Sequence, residues 1–137
     1  MRYALAAFVV YIPLQALHAE ERTVRDGVFA SSQAERGRVI YEQTCALGCH
    51  IENLMGSGPS LNLRGYDFLL RWADFSLAEL LELMNTTMPK DENVRLTDKQ
   101  YVDVIAYILS ANGFPAGTEE LADRAATLDS IYITDSP

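Results

Sequence analysis

Three stretches of this 137-residue chain carry apolar positions at helical spacing, and each opens on a side chain able to cap a helix. Ser32 with Glu35 three places on forms a capping-box pattern ahead of Val39, Ile40 and Tyr41. Ser76 with Glu79 precedes Leu77, Leu80, Leu81 and Met84, whose i, i+3, i+4, i+7 spacing puts them on one face of about three turns. Thr97 with Gln100 opens a third helix with Val102, Ile105, Ala106 and Leu109 on one face; Asn112 and Gly113 stop it and Pro115 follows. Residues 118–128 hold a further short helical pattern. Between Gly56 and Pro59 the chain reads Gly-Ser-Gly-Pro, which neither a helix nor a central strand accepts. Alternating strand patterns and internal repeats are missing. The pattern predicts an all-α fold of about three main helices, with long loops wrapped around something.

The amino-terminal stretch follows a different logic. Arg2 supplies a positive start, Tyr3 to Leu17 is mostly apolar, and Glu20 and Glu21 open the polar sequence, which is the layout of an export signal. Pro13 and Gln15 interrupt a run already shorter than the roughly 20 apolar residues that span a bilayer. The expected organisation is a signal peptide over 1–19, a polar lead-in over 20–31, a folded domain over 32–115 and a carboxy-terminal extension over 116–137. Cleavage after Ala19 would leave a periplasmic protein with no membrane span. An uncleaved anchor is the alternative, because Leu17 and Ala19 are not the small pair a signal peptidase prefers.

Composition narrows the partners more than the fold. With 49% hydrophobic and 22% charged residues the chain is that of one globular domain. Its formal charge of −8 becomes −9 once Arg2 leaves with residues 1–19, which hold no acid. Only two lysines, Lys90 and Lys99, are present. Nucleic acid and anionic lipid surfaces are therefore excluded as natural partners.

The candidate chemistry lies within six residues. Of the two histidines, His18 falls in the segment expected to be removed, leaving His50 beside the chain's two cysteines, Cys45 and Cys49. Three readings compete. A disulfide suits an exported protein, but so short a loop constrains the unfolded chain little and leaves His50 unexplained. A structural zinc site normally has four ligands, and only three soft ones are present. The third reading is covalent haem attachment, in which two thiols add to the porphyrin and the next imidazole binds iron, as in C-x-x-C-H. Here Cys49-His50 adjacency is intact, and Cys45 is displaced by one residue, with Gly48 the place for a bulge to absorb it.

Such an iron needs a sixth ligand to be a stable electron carrier. Met55 follows His50 too closely to cross to the other porphyrin face, and Met84 completes a leucine-rich stripe. Met88 follows the second helix and precedes Pro89, which biases it toward extended backbone.

At this point residues 32–115 resemble the class I c-type cytochromes. Gly37 and Tyr41 match first-helix positions that pack on an aromatic of the last helix, here Tyr107; Cys45, Cys49 and His50 match the attachment motif; Met88-Pro89 matches the axial methionine loop. Gly58-Pro59-Ser60-Leu61 matches the loop in which, by resemblance, the Pro59 carbonyl accepts a hydrogen bond from His50. Ile51 departs from the glycine that often follows the histidine. The resemblance implies a small cytochrome c fold holding one covalent haem c, with His50 and Met88 as iron ligands. It implies an electron-transfer protein, not an enzyme, working between a dehydrogenase donor and an oxidase or cytochrome acceptor. More narrowly, Asn112 to Gly117 with Glu120-Leu121, and Leu128 to Ile133, resemble cytochrome modules associated with quinoprotein alcohol dehydrogenases. The alternative is a haem enzyme or gas sensor with a labile sixth ligand; it would need a distal group, and Arg64, Arg71 and Trp72 are the candidates.

Overall fold

The computed structural model describes residues 22–91 and 93–137, so the expected signal peptide lies outside the described residues. Among them, five α-helices dominate: α1 (Ser31–Thr44), α2 (Tyr66–Trp72), α3 (Leu77–Thr87), α4 (Asp98–Ala111) and the one-turn α5 (Ala125–Leu128). Two short strands, β1 (Arg22–Thr23) and β2 (Ile131–Tyr132), pair in parallel. The fold is all-α, as its periodicity predicts. No helix among the described residues is long and apolar enough to cross a membrane.

Two of the three capping boxes form as read: the Ser76 and Thr97 side chains accept from the amides of Glu79 and Gln100, whose own side chains accept from the cap residues' amides. The Ser32 box does not form. Helix α1 begins at Ser31 behind Ala30, which makes a β-bridge with Gly117, and Glu35 is drawn instead to Arg38.

Helix α4 is the centre of the molecule. Its expected apolar face, Val102, Ile105, Ala106 and Leu109, is buried, but so are Tyr101, Val104 and Ile108. One face was not enough because α1 and α3 both pack against it. The α1 crossing is close: a Cβ on Gly37 would sit 1.8 Å from the Asp103 carbonyl oxygen, so only glycine lets the backbones meet. One turn further on, the Tyr41 and Tyr107 rings meet at 5.3 Å, tilted by 54°.

The two terminal segments form a wrap. Residues 22–30, expected as a polar lead-in, bury Val24, Val28 and Phe29, and the expected extension buries Leu121, Leu128, Ile131 and Ile133. The buried Gln33 side chain donates to the Leu121 carbonyl at 2.9 Å and accepts from its amide at 2.7 Å, mimicking a strand partner. Ile133 exchanges backbone bonds with the 74–75 corner, and the Gly117 amide donates to Phe29. Arg36 joins both layers, its guanidinium lying on the buried Asp103 carboxylate and on Glu120. The terminal segments are therefore part of the core, a non-local arrangement that no local pattern announces.

Candidate functional site

Helix α1 runs directly into the Cys45–His50 segment, and the extra residue between the cysteines decides what happens there. After Thr44 the chain forms a π-helical turn over Ala46–His50, closed by the His50 amide donating to the Cys45 carbonyl at 3.1 Å. A π-turn is what one residue inserted into α-helical geometry produces. The insertion is thus spread over the whole turn rather than bulged at Gly48. Cys45 and Cys49 remain one turn apart, and His50 closes the turn. Both thiols are free.

The two thiols differ in environment. Cys49 is exposed, whereas Cys45 is half-buried against the core, and burial, reinforced by the neighbouring Cys49, pushes its thiol up to about 11. Among the described residues no group of three or more His, Cys, Asp or Glu side chains is placed to hold a metal ion, so Cys45, Cys49 and His50 do not converge in the way a zinc site requires.

His50 is buried and oriented. Its Nδ1 lies 3.0 Å from the Leu61 carbonyl oxygen. A carbonyl can only accept, so Nδ1 carries the proton and Nε2 is left with a free lone pair. The acceptor is not the Pro59 carbonyl that the resemblance implies: Pro59 is exposed, and the loop reaches His50 two residues later. Only a carbonyl is needed, and any residue supplies one. Behind the ligand, the Tyr41 hydroxyl donates to the Ile51 carbonyl at 2.7 Å and reaches that of His50 at 3.2 Å. Ile51 itself stands at φ 50, ψ 165, a conformation that suits the glycine it replaces.

The loop that carries Leu61 is held at both ends. The Leu63 amide donates to Leu54, closing the loop upon itself, and the Asn112 side chain takes the Gly65 amide at 2.8 Å while donating to the Leu63 carbonyl at 3.0 Å. Beyond it, Ser60, Leu61, Asn62, Asp67, Leu70 and Arg71 line a cavity of about 420 Å³. Leu61 and Leu70 stand exposed here, large apolar side chains on a cavity whose loop also bonds the buried histidine.

Met88 caps the carboxy-terminal end of α3 in extended conformation, φ −133 and ψ 148, as its place before Pro89 predicts. Its carbonyl accepts from the Tyr101 hydroxyl at 2.6 Å. Burial of the Tyr101 ring raises the pKa of its hydroxyl, which keeps it a donor to this carbonyl. Met84, the rival methionine, packs against the core, and Met55 is exposed. Asn112 and Tyr101 escape a sequence reading because one looks like a helix stop and the other like a core aromatic.

These features fit a covalently held haem. Two free thiols one turn apart, an imidazole with its Nε2 available, and exposed apolar side chains beside a cavity are the donors and the surface such a group requires. Arg64 and Arg71 are exposed and Trp72 is packed against Phe75, at a ring distance of 5.6 Å.

The family model described as cytochrome c oxidase, cbb3-type, subunit III, matches residues 32–108. No curated protein and no solved structure matches the chain.

Proposed function

We propose, because this chain belongs to the cbb3-type subunit III family of cytochrome c domains and is thereby a class I c-type cytochrome, that it is an exported electron carrier holding one haem through Cys45 and Cys49. His50 and Met88 are the iron ligands in this reading. The observation that carries it is the oriented imidazole: His50 follows Cys49 directly, and its Nδ1 proton is committed to the Leu61 carbonyl.

When bound, haem supplies a ferric–ferrous couple that exchanges single electrons. What the chain's own residues do follows from their surroundings. The Leu61 carbonyl holds the Nδ1 proton and makes Nε2 the stronger donor. Tyr101 anchors the Met88 backbone, and the thioether of Met88 is a soft donor that favours the ferrous state. Leu61 and Leu70, exposed on the cavity, would cover the group and keep water from it.

The proposed setting is the periplasm, between a dehydrogenase of the quinoprotein class and an oxidase or cytochrome acceptor. The support for a guided encounter is charge: at −8 for the full chain, and −9 without residues 1–19, the protein favours donors and acceptors with a basic docking patch.

The test is an absorption spectrum and an intact mass of protein exported in a host that attaches haem. One acid-stable haem on a chain lacking its amino-terminal segment, with the weak near-infrared band of methionine sulfur on ferric iron, is the expected result. An unmodified polypeptide mass would end the proposal. Survival of the near-infrared band in Met88→Ala would remove Met88 as ligand and pass the role to Met55 or Met84, whereas a wild-type protein without the band would favour an open sixth position.

A further inference from the structure

We propose that α4 works as a spacer between the two ligand loops, with Asn112 at one end positioning His50 and Tyr101 at the other positioning Met88. The inference rests on the haem-carrier reading above. It starts from two hydrogen-bonding side chains with no need to reach where they do. Asn112 ends α4, and one of its donors satisfies the Ile108 carbonyl at 2.8 Å, an ordinary terminal bond. Its remaining donor and its oxygen go to Leu63 and Gly65, 49 and 47 positions away in sequence. Those two residues end the segment whose Leu61 carbonyl holds the His50 proton.

At the other end, the buried Tyr101 ring delivers its hydroxyl to the Met88 carbonyl. Eleven residues of helix at 1.5 Å each separate Tyr101 from Asn112, about 16 Å. Helix α4 is buried over most of this length, from Tyr101 to Leu109, and locked to α1 at Gly37, so the separation cannot drift. A rigid rod with one polar handle per ligand loop fixes both loops against a common reference.

The two handles predict opposite signatures in the loaded protein. In Asn112→Ala the Leu61 carbonyl relaxes from His50, the imidazole becomes a weaker donor to ferric iron, and the reduction potential rises while the near-infrared methionine band remains. In Tyr101→Phe the Met88 loop loosens, so the band weakens and the potential falls. Amide exchange at Gly65 accelerates in the first variant and is unchanged in the second. Gln33→Ala is the control, since it removes the buried bonds to Leu121 and touches neither ligand loop.

A loss of stability in Gln33→Ala with an unmoved potential, beside opposite shifts in the other two, is the expected pattern. Equal shifts in all three, or a wild-type potential in Asn112→Ala, would overturn the inference. Should Asn112→Ala yield no loaded protein, Asn112→Ser is measured in its place and must raise the potential with the band kept; otherwise the inference falls. Failure of the wild-type chain to take up covalent haem would instead overturn the haem-carrier reading.

Discussion

The terminal wrap and the loop from Ile51 to Gly65 are both mostly irregular backbone, yet they are built on opposite terms. The wrap buries Val24, Phe29, Leu128, Ile131 and Ile133 almost completely, and its Leu121 backbone takes both hydrogen bonds of the buried Gln33 side chain on α1. In the loop, Leu54 alone among the large apolar side chains is buried, Met55 and Leu61 are exposed, and Ile51 and Leu54 both take positive φ. Irregular backbone that satisfies itself closes a core. Irregular backbone that keeps apolar surface and strain open is shaped around a group the polypeptide does not provide, and strain of this kind concentrates at functional sites. Helix α4 touches both regions, and the comparison can be broken at either.

The most damaging change is expected where the scaffold beneath both regions is tightest. Gly37→Ala places a methyl 1.8 Å from the Asp103 carbonyl, and backbone cannot rotate away as a side chain can. The α1–α4 pair must separate, at a cost of about 4 kcal/mol or more, the exceptional end of the range for point changes. Chemical denaturation of the variant measures it. A cost under about 1 kcal/mol would show that the crossing is not the rigid reference it looks to be.

Leu128→Ala addresses the wrap itself. Leu128 is fully buried on the one-turn α5, so the expected loss is roughly 3 kcal/mol, the transfer of three carbons plus the hole they leave. If the extension were only an appendage, as its position beyond the family match invites one to think, thermal unfolding would not notice the change.

How far the chain announces all this depends on the range over which each signal acts. Helices α3 and α4 were legible because their caps and periods are local, with Ser76–Glu79 and Thr97–Gln100 closing within one turn. The Ser32 box failed because Ala30 had a partner 87 positions away in Gly117, and no local rule sees that. The wrap failed for the same reason: β1 and β2 are two residues each, too short to leave an alternating pattern, and they pair across the length of the chain. At the site, Cys45, Cys49 and His50 stood out because they fall within six residues of one another. Where the extra residue goes did not, since a π-turn has no compositional mark. The Leu61 carbonyl could not be told from that of Pro59, because every residue has one.

Ile51→Gly tests the strain in the loop and carries the opposite sign. Relief of an isoleucine held at φ 50, ψ 165 outweighs the added freedom of glycine in the unfolded chain, for a net gain of about 1 kcal/mol. The Tyr41 hydroxyl still donates to the residue 51 carbonyl, because that bond is to backbone. A destabilised Ile51→Gly protein would mean that the isoleucine side chain holds the loop by packing, and the contrast between strained loop and relaxed wrap would lose its clearest member.

The smallest effect sharpens the comparison most. Leu70 is 61% exposed beside the cavity, so Leu70→Ala in a chain kept free of haem by Cys45→Ala and Cys49→Ala should change stability by less than about 0.5 kcal/mol, as for any surface position. In the loaded protein the same side chain has a surface to cover, and its removal should cost roughly 1 kcal/mol or more, within the range for burying a leucine. The difference between the two measurements is the quantity of interest, since it isolates what Leu70 contributes toward the group rather than toward the polypeptide. Equal small values in both forms would leave Leu70 an ordinary surface residue and the apolar lining to Leu61. Equal large values would make it part of the core after all, which its exposure denies.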